Sequence, residues 1–272
     1  MLKFSVLMSV YKNEKPEYFR EAIDSIVKQT LIPNEIVIVK DGLLTKELDK
    51  VIEEYKELYE ELFKIVAFKE NRGLGLALRD GVLACKYEYV ARMDTDDIAK
   101  SDRFERQIKF LEEHSEVALL GSYSKEFDTD YDNPYATMKL PCTHSEILRF
   151  ARKRNPFRHP TVIFKKSVVL ECGNYREFLW FEDYDLFVRI MNKGHQVANI
   201  NDFLVYVRAD NDQFARRGGW TYLKQDLRFQ RYLYNCEFIT LTQFVKNNII
   251  RCIVRLLPNV IRVFIYKKFL RQ

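Results

Sequence analysis

The sequence predicts an α/β protein with a mostly parallel sheet, helices on both faces of that sheet, and a helical C-terminal tail. Through residue 125, short and continuously apolar segments alternate with longer segments of helical periodicity, which is the pattern of strands buried on both faces. From Thr240 onward, apolar residues alternate with basic ones only, which is typical of amphipathic helices at an anionic surface. A chain of 272 residues, 47% of them hydrophobic, is long enough to bury a large α/β core.

The predicted elements can be placed in order along the chain. We expect strands at residues 4–10, 35–39, 65–68, 89–93 and 117–122, and helices at residues 17–29 and 48–62, after Gly73, and after Ser101 as N-cap. Past the polar segment 128–143, we expect a helix at 146–151, a strand at 161–164, a helix through 186–191 that ends near Gly194, and short strands near Val197 and Leu204.

Composition and charge exclude several classes of protein. The net charge of +5 is too small to indicate a nucleic-acid partner, and none is expected. The five cysteines are scattered without a CxxC pair, so neither a disulfide framework nor a zinc site is expected, and a reducing cytoplasm fits. The apolar N-terminal run is too short for a signal peptide, and no stretch reaches the roughly 18 apolar residues of a membrane span.

The main chemical signal is the acidic cluster Asp94-Thr95-Asp96-Asp97, which directly follows a predicted strand. Carboxylates this close repel one another, and a divalent cation with oxygen ligands relieves that repulsion. A diphosphate would complete the coordination shell of the cation. Asp41 also follows a strand, so its side chain should enter the same crevice as Asp94. The alternative is that Asp97 and Asp102 only stabilise the first turn of the next helix.

A second acidic pair, Glu182-Asp183, lies among the aromatic residues Trp180, Phe181 and Tyr184. A transferase that activates a hydroxyl group needs one positioned carboxylate as general base, and partial burial raises the basicity of a carboxylate. The alternative is that the pair only supplies acidic residues to the first turn of a helix.

Basic residues supply further candidates. Prolines on both sides fix Arg158 and His159 near a strand start, where Arg158 is a candidate phosphate ligand, whereas a lone histidine is as often structural. Arg216 and Arg217, beside two glycines, predict a mobile loop that closes over a diphosphate, or else a solvated basic loop. The tail predicts interfacial helices on an anionic membrane, or else an amphipathic helix docked on the protein's own core.

Four motifs, in order along the chain, resemble those of glycosyltransferase family 2, the inverting enzymes of the Rossmann-like GT-A fold. Residues 5–11 are similar to the family's first strand, whose end contacts uridine together with the aspartate that corresponds to Asp41. Asn71-Arg72-Gly73 resembles the next donor-side element. The resemblance therefore implies donor contacts from Ser9, Val10, Tyr11, Asp41 and Arg72.

Two acidic motifs complete the resemblance, which covers residues 3–210. Met93 to Ile98 resembles the DxD motif, which implies a donor contact for Asp94 and both donor and metal binding for Asp96. Phe181 to Leu186 resembles the ED motif, which implies that Asp183 is the catalytic base, with Glu182 beside it. The candidates for contacts with the acceptor or the diphosphate are then Arg158, His159, Trp180, Arg216 and Arg217.

The resemblance implies a metal-dependent hexosyltransferase that uses Mn²⁺ or Mg²⁺. Its donor is a UDP-sugar, UDP-galactose or UDP-glucose by analogy, and its product is β-linked, with a β-1,3 linkage by the same analogy. Residues 155–175 further resemble bacterial enzymes of O-antigen, capsule and exopolysaccharide synthesis. This implies an undecaprenyl-diphosphate-linked saccharide acceptor and a cytoplasmic enzyme that is peripheral on the inner face of the cell membrane.

The expected GT-A domain spans residues 1–210, with a nucleotide-sugar half at 1–125 and an acceptor half at 126–210. A basic loop and membrane-associating helices are expected at 211–272. Two other classes stay open. A nucleotidyltransferase normally needs a Gly-rich phosphate loop after the first strand, which residues 10–14 do not supply. A non-catalytic membrane scaffold leaves the carboxylates at the strand ends unexplained.

Overall fold

The computed structural model describes residues 1–209 and 218–257, which form one mixed sheet with helices against it. The strands are β1 (Phe4–Val10), β2 (Glu35–Lys40), β3 (Phe63–Ala67), β4 (Tyr89–Arg92), β5 (Ile98–Ala99), β6 (Val117–Phe127), β7 (Ala136–Met138), β8 (Ile163–Lys165) and β9 (Gln196–Arg208). The helices are α1 (Pro16–Val27), α2 (Lys46–Leu58), α3 (Leu74–Ala84), α4 (Arg103–Glu113), α5 (His144–Ala151), α6 (Lys166–Glu171), α7 (Glu182–Asn192), α8 (Gly219–Asn235) and α9 (Leu241–Leu256), with a 3-10 turn at His159–Thr161.

The order of the strands creates a crevice beyond the end of β1. The order is β3-β2-β1-β4-β8-β6-β9-β5, with β7 paired to β6. Strands β1 to β4 are parallel, and so are β6 and β9, whereas β5, β7 and β8 run antiparallel to their neighbours. The chain moves outward from β1 to β2 on one side and returns to β4 on the other, and ligands of such sheets bind at this reversal. The predicted mostly parallel α/β sheet is confirmed.

Strand β1 is buried on both faces, which explains its continuously apolar sequence. Leu7 belongs to a core cluster with residues of α3, α7 and α8. Val6 and Met8 belong to a second cluster with residues of α1, α2 and α4. Helices therefore cover both faces of the sheet, as the alternation of apolar strands and helices predicts.

Several local predictions are wrong at the level of single elements. The N-cap of α4 is Asp102 instead of Ser101, whose carbonyl accepts a hydrogen bond from the N–H of Thr30 in a neighbouring loop. The two short strands expected near Val197 and Leu204 are one strand, β9, whose register against β6 shifts where its polar residues pass. Residues 219 and 220 begin α8, so the expected basic loop ends before them.

The C-terminal helices pack on the body of the protein. Phe229 and Leu233 of α8 join the core cluster that contains α7. Helix α9 returns along α8, where Arg251 and Arg255 both donate to the buried carboxylate of Asp226. These two arginines therefore face the protein and not a membrane, and this face of α9 is docked on the protein itself, as the second of the two sequence interpretations expected. None of the helices in the described ranges is long and apolar enough to cross a membrane. Arg216, Arg217 and residues 258–272 lie outside those ranges.

Candidate active site

A buried arginine lies at the base of the acidic cluster. Arg92 ends β4, its side chain is 1% exposed, and its guanidinium donates to the carboxylate of Asp94 and to the carbonyl of Met93. Arg103 of α4 donates to the main-chain oxygen of Arg92 at 2.8 Å, and burial lowers the pKa of Arg103 to about 9. The ion pair fixes the direction of the Asp94 side chain, which stays 32% exposed toward the crevice. Sequence analysis missed Arg92, although an arginine at the end of a buried strand was itself a signal.

The other two carboxylates of the cluster have different surroundings. Asp97 is buried and accepts the main-chain N–H of Arg208 at 2.8 Å, which ties the acidic loop to β9. Burial raises the pKa of Asp97 well above its usual range, and repulsion from Asp96 and Asp94 adds to the shift. Asp96 is partly exposed; burial raises its pKa to about 7, with further repulsion from Asp94 and Glu14. The negative charge at Asp96 is therefore poorly compensated within the protein.

These residues fit a divalent cation that shares its ligands with a diphosphate. Over residues 1–209 and 218–257, no group of three or more His, Cys, Asp or Glu side chains is arranged to hold a metal ion. Cations such as Mg²⁺ are commonly bound by one or two carboxylates, with phosphate oxygens and water as the remaining ligands. Asp96, with Asp94 beside it, offers such a pair of carboxylates. A bound cation would stabilise the ionised carboxylate of Asp96 and so oppose the rise in its pKa.

Asp41 organises the loop on the donor side of the crevice. Its carboxylate accepts hydrogen bonds from the main-chain N–H groups of Arg72 at 2.7 Å and Gly73 at 3.0 Å, and from the Asn71 side chain at 3.0 Å. The next residue, Gly42, has a φ of +90°, and a Cβ there would lie 2.7 Å from the main-chain nitrogen of Asn71. Segments 41–42 and 71–73 therefore form one interlocked unit. Contact between Asp41 and a nucleobase stays a prediction.

The remaining donor candidates lie around this unit. At the end of β1, Ser9 is partly exposed, Val10 is fully buried and Tyr11 is 42% exposed. The carbonyl of Val10 accepts the main-chain N–H of Asp41 at 2.8 Å, and contact of Val10 with a donor stays a prediction. The guanidinium of Arg72 pairs with Asp80 at 2.9 Å, and its contact with a donor stays a prediction.

The second acidic pair opens helix α7 and includes a carboxylate held by two donors. The side-chain amide of Asn155 donates to Oδ2 of Asp183 at 2.7 Å, and the main-chain N–H of Tyr184 donates to Oδ1 at 2.6 Å. Both bonds restrict the rotation of the carboxylate. Asn155 comes from the turn before the 3-10 helix; it opens the segment 155–175, but the sequence assigned it no role.

The two acidic motifs are close enough to influence each other's ionisation. Burial raises the pKa of Glu182 to about 8, and the adjacent Asp183 adds to the shift. Arg92 lowers and Asp94 raises the pKa of Glu182, so the charges at the end of β4 act directly on the start of α7. The two acidic motifs therefore lie near each other, whereas the shared crevice expected for Asp41 and Asp94 stays a prediction.

A glycine sets the distance between the donor-side helix and the start of α7. A Cβ at Gly75, in the first turn of α3, would lie 2.5 Å from the carbonyl oxygen of Arg176 and 3.3 Å from Cβ of Glu182. Only a residue without a side chain permits this approach. The sequence alone does not show what packs against Gly75.

Three further candidates have defined surroundings. Arg158 pairs with the buried carboxylate of Glu126 at 2.8 Å, and its contact with phosphate stays a prediction. His159 is hydrogen-bonded to the hydroxyl of Tyr175 at 2.9 Å. Burial, with repulsion from Arg92, holds the pKa of His159 well below 6.5, which favours the neutral ring; its contact with the acceptor or the diphosphate stays a prediction. Trp180, with a φ of +67° and 42% exposed, stacks on Tyr222 of α8 at a centroid distance of 4.9 Å.

Comparison with known proteins decides the family. The family model described as "Glycosyl transferase family 2" matches residues 5–173. The chain belongs to glycosyltransferase family 2. It is therefore an enzyme that transfers glycosyl groups, and the predicted resemblance is confirmed.

Similarity to curated members of the family extends over the full chain. An uncharacterized glycosyltransferase of Haemophilus influenzae is 39% identical and covers 100% of both chains. The amylovoran biosynthesis glycosyltransferase AmsE of Erwinia amylovora is 41% identical over 97% of this chain and 98% of its own. The UDP-Gal:alpha-D-GlcNAc-diphosphoundecaprenol beta-1,3-galactosyltransferase of Escherichia coli is 36% identical over 99% and 97%.

Solved structures confirm the GT-A fold. S. aureus TarS 1–349 in complex with UDP-GlcNAc superposes with a TM-score of 0.69 and 18% identity, over 92% of this chain and 72% of its own. The mannosyltransferase PcManGT of Pyrobaculum calidifontis, in complex with GDP-Man and Mn²⁺, superposes with a TM-score of 0.65 and 17% identity, over 96% and 72%.

Proposed function

We propose that this enzyme transfers galactose or glucose from a UDP-sugar to a saccharide linked to a lipid through diphosphate, and forms a β-linkage, β-1,3 by analogy, in bacterial surface polysaccharide synthesis. The observation that carries the proposal is that the acidic cluster after β4 and the pair Glu182–Asp183 at the start of α7 are close enough for Asp94 to raise the pKa of Glu182. The full-length similarity to a beta-1,3-galactosyltransferase that acts on a diphosphoundecaprenol substrate supports this substrate class. In this proposal the donor binds to the half of the domain formed by residues 1–125, and the acceptor binds to the half formed by residues 126–210.

Asp183 acts as the general base. Asn155 and the N–H of Tyr184 hold its carboxylate, which removes the proton from an acceptor hydroxyl group. The acceptor oxygen forms its bond to the anomeric carbon on the face opposite UDP, while the bond from that carbon to the diphosphate oxygen breaks. One displacement on an α-linked donor gives a β-linked product. Burial and the adjacent Asp183 raise the pKa of Glu182, which favours its neutral form and limits the negative charge near the departing diphosphate.

Asp96, with Asp94 beside it, would hold Mn²⁺ or Mg²⁺ at the donor diphosphate. The bound cation supplies electrostatic stabilisation of the leaving UDP. Arg208 donates to the main-chain oxygen of Asp96 at 3.0 Å and to Glu21 at 2.5 Å, so it holds the loop that presents the Asp96 carboxylate. A lipid-linked acceptor further supports peripheral association with the inner face of the cell membrane, with residues 211–272 nearest the lipid.

The proposal is tested by incubating the purified chain with a panel of UDP-sugars and a short-chain alkyl diphosphate that bears N-acetylglucosamine. We expect UDP release and a β-linked disaccharide from one donor in the presence of Mn²⁺ or Mg²⁺, and no release after chelation. Pyrophosphate release from a nucleoside triphosphate and a sugar phosphate would instead support a nucleotidyltransferase. Turnover that is unchanged by chelation would contradict the metal role.

A further inference from the structure

The inner face of helix α9 is unusually polar for a surface helix. On its inner face, Arg251 donates to the buried carboxylate of Asp226 at 2.6 Å and Arg255 donates to the same carboxylate at 3.0 Å. The buried side chain of Asn247 donates to the carbonyl of Arg152, at the end of α5, at 2.9 Å. Together with Phe244, which packs against the core cluster, these polar and charged contacts attach α9 to the enzyme, where a surface helix normally uses mainly its apolar side chains.

The outer face of the same helix is apolar. Its large aliphatic side chains, each between 47% and 59% exposed, are Leu241, Val245, Ile249, Ile250, Ile253 and Leu256. With Lys246 and Thr242, four of them line a groove of about 540 Å³. Contiguous exposed apolar surface of this kind marks an interaction site in a soluble protein.

The C-terminal end of α9 lies near Trp180, one of the candidate acceptor contacts. Near the C-terminal end of α9, the guanidinium of Arg255 lies 4.5 Å from the ring centre of Tyr222. Tyr222 stacks on Trp180, which lies three residues before Asp183 in the chain. A molecule that covers the end of α9 is therefore close to the aromatic pair at the start of α7.

We propose that the outer face of α9 docks on a bilayer surface that contains anionic lipid, and so presents the Trp180–Tyr222 pair to saccharides at the lipid–water interface. The inference deepens, and rests on, the proposed use of a lipid-linked acceptor. Aliphatic side chains enter the acyl boundary of the bilayer, while basic side chains remain at the headgroups.

Charge selects a bilayer over a second copy of the chain as the occupant. Lys246 is the charged residue of the groove, and residues 240–272 contain basic residues but no aspartate or glutamate. A symmetric pairing of two such faces brings like charges together, whereas anionic headgroups attract each of these residues. The arginines that already pair with Asp226 are not needed for this attraction.

The test is co-sedimentation of the full chain with vesicles of phosphatidylcholine, with and without phosphatidylglycerol. We expect preferential binding to the anionic vesicles and a loss of about tenfold or more in the double variant Ile249→Glu, Ile253→Glu, because two charges would enter the acyl boundary. Leu83→Glu is the matched control, since Leu83 is an exposed aliphatic residue, 57% exposed, on helix α3. Its binding should equal that of the wild type.

A second variant keeps the test valid if the double variant fails to fold. Lys246→Glu keeps the apolar face and should reduce the preference for anionic vesicles by about threefold or more. Unchanged vesicle binding in both variants would overturn the proposal. So would a wild-type dimer in light scattering that Ile249→Glu dissociates while lipid binding is absent.

Vesicle binding needs neither donor nor acceptor, so it is independent of the proposed reaction. Transfer to the short-chain acceptor should persist in the double variant, whereas transfer to an acceptor embedded in vesicles should fall with vesicle binding. An enzyme that binds vesicles but transfers to neither acceptor would contradict the proposed function and leave the docking surface supported.

Discussion

The side-chain amide of Asn155 donates a 2.7 Å hydrogen bond to the carboxylate of Asp183, which lies 28 positions later in the chain. The bond links the turn that precedes the 3-10 helix to the first turn of α7. Since the main-chain N–H of Tyr184 binds the other carboxylate oxygen, the orientation of the proposed base depends on both contacts.

Replacing Asn155 with alanine should therefore reduce kcat with little change in the KM for the UDP-sugar. A hydrogen bond to a charged group contributes about 1.5–3 kcal/mol, which corresponds to a reduction of about ten- to a hundredfold. Steady-state kinetics of Asn155→Ala against Asn235→Ala, an exposed residue at the end of α8, measures this effect. Equal kcat values in the two variants would show that Asn155 does not position the base.

Glu182 gives a pH dependence of stability with a defined sign. Its folded-state pKa of about 8 lies above the ordinary value of 4.5, so folding favours the protonated form. The wild type should lose stability as the pH rises from about 4.5 to 8, because ionised Glu182 is better solvated in the unfolded chain. Glu182→Gln lacks this loss, so its melting temperature relative to the wild type should rise by about 5 °C between pH 5 and pH 8.5. A pH-independent difference in thermal melts would contradict the assignment.

Asp96→Asn should weaken UDP binding in the presence of Mn²⁺ by at least about tenfold, because the variant loses the charged oxygen ligand of the cation. Asp102→Asn is the control, since Asp102 caps α4 and pairs with Arg106, and its UDP affinity should stay at the wild-type value. Isothermal calorimetry with and without Mn²⁺ measures the UDP affinity of both variants. Metal-dependent affinity that survives in Asp96→Asn would remove Asp96 from the metal site.

The attachment of α9 through Asp226 predicts a large effect on stability. Asp226→Asn removes the buried anion to which Arg251 and Arg255 donate, and loss of one partner of a buried ion pair costs about 3–5 kcal/mol. Glu54→Gln, which breaks an exposed pair with Arg20, should cost at most about 1 kcal/mol. Urea unfolding measures both free energies. A similar small loss in the two variants would mean that α9 is not held by this contact.

The fold could be predicted from the sequence where burial leaves a simple pattern. Strands β1, β2 and β4 are buried on both faces, so their apolar runs mark them to within one residue. For strand β9 the sequence predicts two short strands, because the polar residues between Asn199 and Asp202 interrupt its apolar pattern. The pairing of β9 with β6 nevertheless continues past them.

The site was predictable where a motif is contiguous in sequence and not where it is assembled by the fold. Asp96 and Asp183 lie in short acidic motifs, whereas Asn155 and Arg92 take their roles from contacts that the sequence does not display. Periodicity likewise gave α9 a polar and an apolar face. It did not show which face points inward, because that depends on Asp226 of a different helix.

The central claim is that Asp183 activates the acceptor in a crevice where the UDP-sugar binds separately, and one variant tests it most directly. For Asp183→Asn we expect UDP-sugar affinity within about twofold of the wild type in calorimetry, because the donor contacts are unchanged. Transfer to the short-chain acceptor should fall by about 10³-fold, the loss expected for removal of a general base. Transfer at the wild-type rate by a variant that binds the donor normally would contradict the account.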